Sequence, residues 1–175
     1  MPTDVTIRRL NADNAATAIE ALVDLLIDCV EGGASVSFML PLPREKALRF
    51  WRGVVDGVAR GERILLIAED GSARIVGTVQ MVLSMPDNQP HRADIAKMLV
   101  HRSARRRGVA QQLLSAIEDT AREEGKTVLV LDTVTGSAAE RLYGRAGWQQ
   151  VGVIPKYALM PDGEFCATTV FYKHC

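Results

Sequence analysis

Apolar residues recur along this chain with two periods, the two-residue period typical of strands and the three-to-four-residue period typical of helices. Asn11 or Asp13 is expected to cap the first helix, and Gly125 is expected to end the third. The helical period predicts helices at about residues 15–30, 43–60, 108–124 and 138–146. Apolar runs predict strands at residues 5–10, 64–69, 75–83, 94–100, 128–132, 149–153 and 167–172. Two stretches with two prolines each are predicted to be connections, at residues 84–91 and 154–166.

The order of these elements predicts how the sheet is built. The strand at residues 128–132 follows a helix, which favours a parallel crossover from the strand at residues 94–100. Asp70-Gly71, between two other strands, predicts an antiparallel hairpin. The pattern therefore predicts a mixed sheet with helices on both faces, an α/β or α+β fold. Because the chain shows no linker or internal repeat, residues 1–175 are expected to form a single domain.

Composition limits the setting in which the protein works. Hydrophobic residues make up 47% of the chain and the formal net charge is zero, so no overall field attracts it to nucleic acid or a membrane. No run of 18 apolar residues is present, and residues 1–4 lack the features of a signal peptide, so neither a transmembrane helix nor secretion is expected. Cys29, Cys166 and Cys175 are widely spaced, which favours a cytoplasmic protein without a metal or redox site.

The most basic segment lies between a predicted strand and a predicted helix. Arg105, Arg106 and Arg107 precede Gly108, where the helical pattern begins. A helix N-terminus offers unpaired backbone N–H groups, and a glycine lets a phosphate approach the backbone closely. The arrangement therefore predicts an anion site suited to a phosphate or pyrophosphate. A solvated basic surface is the alternative, and the lack of interleaved aromatic residues argues against a nucleic-acid contact.

The segment Arg105-Arg106-Arg107-Gly108-Val109-Ala110 resembles the Arg/Gln-x-x-Gly-x-Gly/Ala signature of the GNAT superfamily of N-acetyltransferases. The predicted elements before and after it fit the layout of that superfamily. The resemblance implies a mostly antiparallel sheet whose parallel strands 4 and 5 splay apart. It also implies acetyl coenzyme A as co-substrate, with its pyrophosphate on the backbone amides of this segment. A main-chain N–H near the thioester carbonyl is then expected from Met98, Leu99 or Val100.

Three further segments are similar to the tabtoxin-resistance type of acetyltransferase. They are residues 31–39, Leu131-Asp132-Thr133 and Met160-Pro161-Asp162-Gly163. This resemblance runs over nearly the whole chain. It implies acetyl transfer to an amine or hydroxyl of a small molecule, a β-lactam toxin or antibiotic of the tabtoxin kind, with antibiotic resistance as the role. Many relatives of this type are dimers, so the resemblance also allows a homodimer.

Acetyl transfer to an amine needs a proton acceptor for the amine, a donor for the carbonyl oxygen and a proton source for the thiolate. Enzymes of the tabtoxin-resistance type are assigned acidic residues for the first task at the places of Asp94 and Asp132. The first is usually a glutamate, so the shorter Asp94 would need a bridging water. By the two-residue period, Asp94 shares a strand face with Ala96 and Met98. Alternatively, Asp94 is a strand-edge charge and Asp132 caps a turn.

Two more residues follow from the superfamily resemblance. Tyr143 stands where a tyrosine often protonates the thiolate, and the alternative is a tyrosine of the core. Ser137 replaces an asparagine that often precedes this helix, and it could contact the cofactor or only cap the helix. Competing functions are a protein or peptide N-acetyltransferase on the same fold and a non-catalytic regulator that binds acyl coenzyme A. The two carboxylates and Tyr143 favour an enzyme over a regulator.

Overall fold

The structure is a computed structural model and describes residues 5–175. Residues 1–4, on which the expectation of no signal peptide rests, lie outside the described residues. The helices are α1 (Ala12–Thr17), α2 (Ile19–Glu31), α3 (Arg44–Ala59), α4 (Val109–Glu123) and α5 (Ala138–Arg145). The strands are β1 (Thr6–Leu10), β2 (Arg63–Glu69), β3 (Ile75–Val82), β4 (Arg92–Val100), β5 (Val128–Val134), β6 (Gln149–Leu159) and β7 (Phe165–His174). In the described part of the chain no helix has the length and apolar character needed to cross a membrane.

The strands form one mixed sheet in the order β1-β2-β3-β4-β5-β7-β6. Only β4 and β5 run parallel among the paired strands of residues 5–175, and α4 makes the predicted crossover between them. Their pairing is short, since it covers Arg92 to Asp94 of β4 and Val128 to Val130 of β5. Beyond these pairs β4 stays on β3 and β5 stays on β7, so the two strands part. This confirms the predicted mixed fold and the splay of strands 4 and 5.

Two apolar cores lie on opposite faces of the sheet. The core beneath α4 and α5 includes Leu113 and Ile117, which are fully buried. The core beneath α2 and α3 includes Leu26 and Trp51, also fully buried. A Cβ atom at Gly77 of β3 would lie 3.0 Å from side chains of α4. Glycine at this position therefore lets the first turn of α4, and the basic loop before it, sit close to the sheet.

Two predictions differ from the structure by more than the ends of an element. The helix expected at residues 15–30 is divided at Ala18 into α1 and α2, and Asn11 caps α1 by accepting a hydrogen bond from the Asn14 amide at 2.8 Å. The connection expected at residues 154–166 is wrong, because β6 continues to Leu159 and β7 begins at Phe165. β6 is mostly exposed and carries a register shift between Ile154 and Ala158, so it lacks the alternation that reveals a strand.

A bulge in β4 corrects the predicted face of Met98. The register on β3 shifts between Leu99 and Ala96, and Lys97 adopts a left-handed backbone with φ of 53°. An extra residue in a strand reverses the side-chain alternation after it. Met98 therefore packs on the core beneath α4, whereas Leu99 lies in the core beneath α2 and α3. Asp94 and Met98 were expected on one face, and the bulge makes that expectation wrong.

Candidate active site

The parting of β4 and β5 opens a cleft of about 540 Å³. A second cavity of about 460 Å³ adjoins it. Residues of the bulged part of β4, the end of β5 and the exposed hairpin border both spaces, namely Ile95, Ala96, Lys97, Asp132 and Tyr157. The loop after α2, helix α5 and strand β7 close the larger cleft through Ser37, Phe38, Ser137, Tyr143 and Thr168. The two spaces together give a site with two approaches that meet at Asp132.

A row of unpaired amides lies at the head of α4. Within residues 5–175, none of the backbone N–H groups from Arg106 to Gln111 donates a hydrogen bond to the protein. Left-handed conformations at Arg106 (φ 59°) and Gly108 (φ 80°) turn the chain into the helix. Successive free N–H groups at a helix N-terminus form a concave site for an oxyanion. The predicted anion site therefore has the backbone geometry it requires.

The arginines of this segment are held in different ways. Arg105 Nε donates to the carbonyl oxygen of Val100 at 3.3 Å, and Arg107 donates to that of Ser103 at 3.5 Å. The neighbouring Arg102 instead binds Asp28 of α2, with Nε and the backbone N–H each 2.8 Å from a carboxylate oxygen. Burial alone would raise the pKa of Asp28, but these hydrogen bonds outweigh it and lower the pKa. Arg102 thus anchors the loop to α2.

The end of β4 contributes backbone and side chain in different directions. Met98 lines the cleft, whereas the Leu99 side chain is buried in the core beneath α2 and α3. The carbonyl oxygen of Val100 accepts from Arg105 and from the thiol of Cys29 at 3.4 Å. Burial raises the pKa of Cys29 to about 11, so this thiol stays protonated near neutral pH. Cys29 is therefore unsuited to act as a nucleophile beside the cleft.

Tyr143 is placed by an aromatic cluster and a buried ion pair. It lines the cleft with only 4% of its surface exposed, and its ring packs edge-on against Trp148 at 5.8 Å between centroids. Trp148 Nε1 donates to Glu118 of α4 at 2.8 Å, and Lys173 donates to the same carboxylate at 2.8 Å. Burial, and then the charge of Asp132, raises the pKa of Tyr143 to about 12. The phenol therefore stays protonated at neutral pH and can donate a proton into the cleft.

The two predicted carboxylates, Asp94 and Asp132, both border the second cavity. They lie near each other because Asp94 of β4 pairs with Val130 of β5, two residues before Asp132. Asp94 is half exposed and forms an ion pair with Arg92, two residues earlier in β4. Asp132 lines the cleft as well and accepts a hydrogen bond from the Thr168 hydroxyl at 2.9 Å. Asp132 alone of the two also lies close enough to Tyr143 to affect its pKa. The structure thus places Asp132 at the centre of the site and Asp94 at its side.

Ser137 caps the N-terminus of α5, which is the structural alternative to a contact with the cofactor. Its hydroxyl caps α5 by accepting from the Glu140 N–H at 3.1 Å, and the residue also borders the cleft.

Three residues of the site were not predicted from the sequence. Lys97 interrupts an apolar strand, which is a signal of function, whereas Arg63 and Tyr157 have ordinary sequence surroundings. No three His, Cys, Asp or Glu side chains of residues 5–175 are grouped so that they could hold a metal ion.

Comparison with known proteins gives a consistent family. The profile of the acetyltransferase (GNAT) family matches residues 19–148. An uncharacterized N-acetyltransferase in the hisH-hisA intergenic region of Azospirillum brasilense is 35% identical over 133 residues, which cover 74% of this chain and 76% of that protein.

Two solved structures share the fold over nearly their whole length. A putative acetyltransferase from Acinetobacter baylyi has a TM-score of 0.82 at 13% identity, covering 100% of this chain and 95% of the other. The putative acetyltransferase YncA from Salmonella typhimurium, solved with its cofactor acetyl-CoA, has a TM-score of 0.78 at 18% identity, covering 98% and 94%. The family profile runs through the basic loop, both parting strands and Tyr143, so we conclude that the chain is an acyltransferase of the acetyltransferase (GNAT) family.

Proposed function

We propose that the protein transfers an acetyl group from acetyl coenzyme A directly to the amine of a small molecule. The observation that carries this proposal is the row of free amides from Arg106 to Gln111, which follows β4, one of the two parting strands that form the cleft. The amides suit the pyrophosphate, and the cleft suits the pantetheine arm that carries the acetyl group. Because the Cys29 thiol is buried and protonated, we assign no covalent acetyl-enzyme step to it.

The cover of the cleft, which we call its roof, consists of the loop after α2 and the β6–β7 hairpin. It favours a small acceptor over a protein or peptide. Ser35 Oγ donates to the Leu159 carbonyl at 2.9 Å, and the Leu40 N–H donates to the Pro161 carbonyl at 3.0 Å. These bonds join the loop after α2 to the β6–β7 hairpin across the cleft. A protein substrate needs an open groove for its chain, whereas a joined roof leaves a pocket. This geometry supports the small-molecule alternative.

The tabtoxin-resistance type is part of this proposal. The segments that carry that resemblance meet at the site, since residues 34–39 and Asp132 line the cleft and Pro161 holds its roof. We therefore propose a hydroxylated, amino-acid-like toxin or antibiotic as an acceptor class and resistance as a role. Cytoplasmic action fits the supply of acetyl coenzyme A and the free thiols of the described cysteines.

Each chemical task has a residue in the site. Acetyl coenzyme A supplies the thioester carbonyl and the thiolate that leaves. Asp132 accepts the proton of the acceptor's ammonium, and Asp94 supports it electrostatically from the neighbouring strand. A backbone N–H of Met98, Leu99 or Val100, at the end of β4, donates to the carbonyl oxygen as negative charge develops. Tyr143 then gives a proton to the thiolate.

The exposed edge of the sheet suits a second copy of the chain. β6 is the last strand of the sheet, and its outer edge has no neighbour among residues 5–175. The β6–β7 hairpin exposes six large apolar side chains, namely Val151, Val153, Ile154, Tyr157, Leu159 and Phe165. An unpaired edge with apolar side chains favours strand pairing. We propose a homodimer through β6, which would place the partner beside Tyr157 of the site.

Binding of acetyl coenzyme A tests the anion site. Gly108→Asp adds a negative charge and a side chain to a left-handed residue where phosphate is proposed to lie, so affinity should fall at least about tenfold. Gly125→Asp is the matched control, since it makes the same change at a left-handed glycine beyond the other end of α4. Isothermal titration calorimetry measures both. Equal affinities in two folded variants would refute the placement.

Turnover tests Tyr143. Tyr143→Phe keeps the ring in the aromatic cluster and removes the hydroxyl group that is proposed to protonate the thiolate. Acetyl coenzyme A should therefore bind normally while kcat falls by roughly 10²–10⁴-fold. Tyr172→Phe, on β7 and away from both cavities, should leave kcat unchanged. Thiol release is measured under conditions in which chemistry limits the rate. A loss of less than about threefold would make Tyr143 a structural residue.

The pH dependence tests the carboxylates. Asp132→Asn and Asp94→Asn should bind acetyl coenzyme A normally and acetylate slowly, with the larger loss for Asp132 because it borders both spaces. Each rate should recover as pH rises, since more of the acceptor is then already neutral. The double variant should lose less than the product of the single losses if the two act together. A pH–rate profile parallel to wild type removes that residue from the role of base.

Sedimentation tests the homodimer. Val153→Lys puts a charge on the β6 edge and should convert a dimer into monomers, as charged residues on an edge block pairing. Thr6→Lys makes a comparable change on β1, the opposite edge of the sheet, and should leave the dimer intact. A wild-type protein that sediments as a monomer would contradict the proposal.

A further inference from the structure

We infer that Arg63 and Lys97 bind an acidic group of the acceptor, so that the preferred acceptor is a small zwitterion with an amine and a carboxylate or similar oxyanion. This inference rests on the proposed acetyl transfer and adds the residues that select its acceptor. Both cations line the second cavity, which is also bordered by Asp94 and Asp132. The cavity thus carries two positive and two negative groups.

Lys97 is held toward the site without an acidic partner. The β4 bulge gives it a left-handed backbone, and its side chain is largely withdrawn from solvent. Nζ donates to Ser37 Oγ at 2.9 Å and lies 6.0 Å from the ring centroid of Phe50. Within the described residues, no carboxylate is within ion-pair distance of it. A partly buried ammonium whose direct contacts are all neutral can still accept an anionic partner.

Arg63 is directed to the same cavity by the helix beneath it. Its side chain runs along α3 at Gly57, where an added Cβ would lie 2.9 Å from Arg63 Cδ. The guanidinium donates to the amide oxygen of Gln80, a fully buried residue of β3, at 2.9 Å. It forms no ion pair with any described residue. The space above Gly57 and the hydrogen bond to Gln80 therefore hold the Arg63 side chain in one position, whereas an arginine on the surface would change conformation freely.

The two cations are close enough to repel each other. Burial lowers the pKa of Lys97, the charge of Arg63 lowers it further, and Asp132 acts in the opposite direction. An oxyanion between Lys97 and Arg63 would offset this repulsion and give both cations a direct anionic partner. The carboxylates border the same cavity, so they can receive the ammonium of the same molecule. Several arginines elsewhere are paired with acids, as Arg8 is with Glu69 and Arg44 with Asp24.

Matched acceptors test this inference. We would compare L-amino acids with their carboxamides, which keep the side chain and the amine and lose only the negative charge. The amine of the amide is the more often neutral, so a preference for the acid cannot come from amine reactivity. Wild type should prefer the acids at least about tenfold in kcat/KM, chiefly through KM.

The variants are Lys97→Met and Arg63→Met, with Arg52→Met on the exposed face of α3 as the control. Each of the first two should raise KM for the acids about tenfold relative to KM for the amides, so the preference collapses. The control should behave as wild type. Equal effects on acids and amides, or a wild-type preference for amides, would overturn the inference.

A binding measurement separates this inference from the proposed function. N-acetylmethionine and its carboxamide resemble products and need no turnover, so their affinities are measured by calorimetry. Stronger binding of the acid that is lost in Lys97→Met and Arg63→Met supports the anion site even if no amine is acetylated, an outcome that would refute only the acetyl transfer. Equal binding of the two probes, with acetylation of amines intact, would refute only the anion site.

Discussion

The site depends on the failure of two parallel strands to stay paired. β4 and β5 share three residue pairs and then separate, because β5 remains hydrogen-bonded to β7 along its length while β4 remains on β3. The bulge at Lys97 adds a local twist to β4 just beyond the point of separation. A sheet that stayed continuous here would place backbone where the cleft now lies. The cleft, its free strand edge and its position at the carboxyl end of β4 all follow from this break.

The break also sets how the parts of the site relate to one another. β4 leads directly into the basic loop, and Gly77 lets α4 begin close to the sheet. The free amides before α4 therefore follow directly on β4, whose residues Ile95 to Met98 line the cleft together with Asp132 and Tyr143. An elongated donor molecule suits this order, with its charged part at the loop and its reactive part between the strands. In the proposed function the acceptor enters through the second cavity, which Lys97 and Arg63 line.

Sequence patterns predicted this architecture where burial is one-sided or complete. The apolar run of β5 and the periodic face of α4 predicted the parallel crossover, and Gly108 in the basic segment predicted the start of α4, where the free amides lie. The patterns failed for β6, whose two faces are both exposed, so the residues from Ile154 onward carry no alternation. They also failed at the bulge, because one extra residue in β4 changes the face of Met98 without changing the composition of the strand.

The sequence patterns could not predict which residues distant in the chain meet at the site, and the reason is different. Lys97 and Arg63 are adjacent to the same cavity only because β2, β3 and β4 are paired in a particular register and Gly57 leaves room for the arginine. Neither residue belongs to a local sequence motif that would predict its position at the cavity. The joined roof of the cleft likewise depends on single hydrogen bonds between Ser35 and Leu159 and between Leu40 and Pro161. Such contacts are set by tertiary packing, which periodicity does not encode.

Local strain is concentrated at the same place. Five described non-glycine residues have a left-handed backbone, which residues with a side chain rarely adopt. Four belong to the segments around the site, namely Ser37, Lys97, Arg106 and Lys156, and the fifth, Ala73, lies in the turn between β2 and β3. Each such conformation costs on the order of 1–3 kcal/mol and persists only where the surroundings fix it. The repulsion between Lys97 and Arg63 adds a further cost at this site. The remainder of the fold offsets these costs through two apolar cores, so the free energy gained by packing maintains a site whose own geometry is unfavourable until its ligands bind.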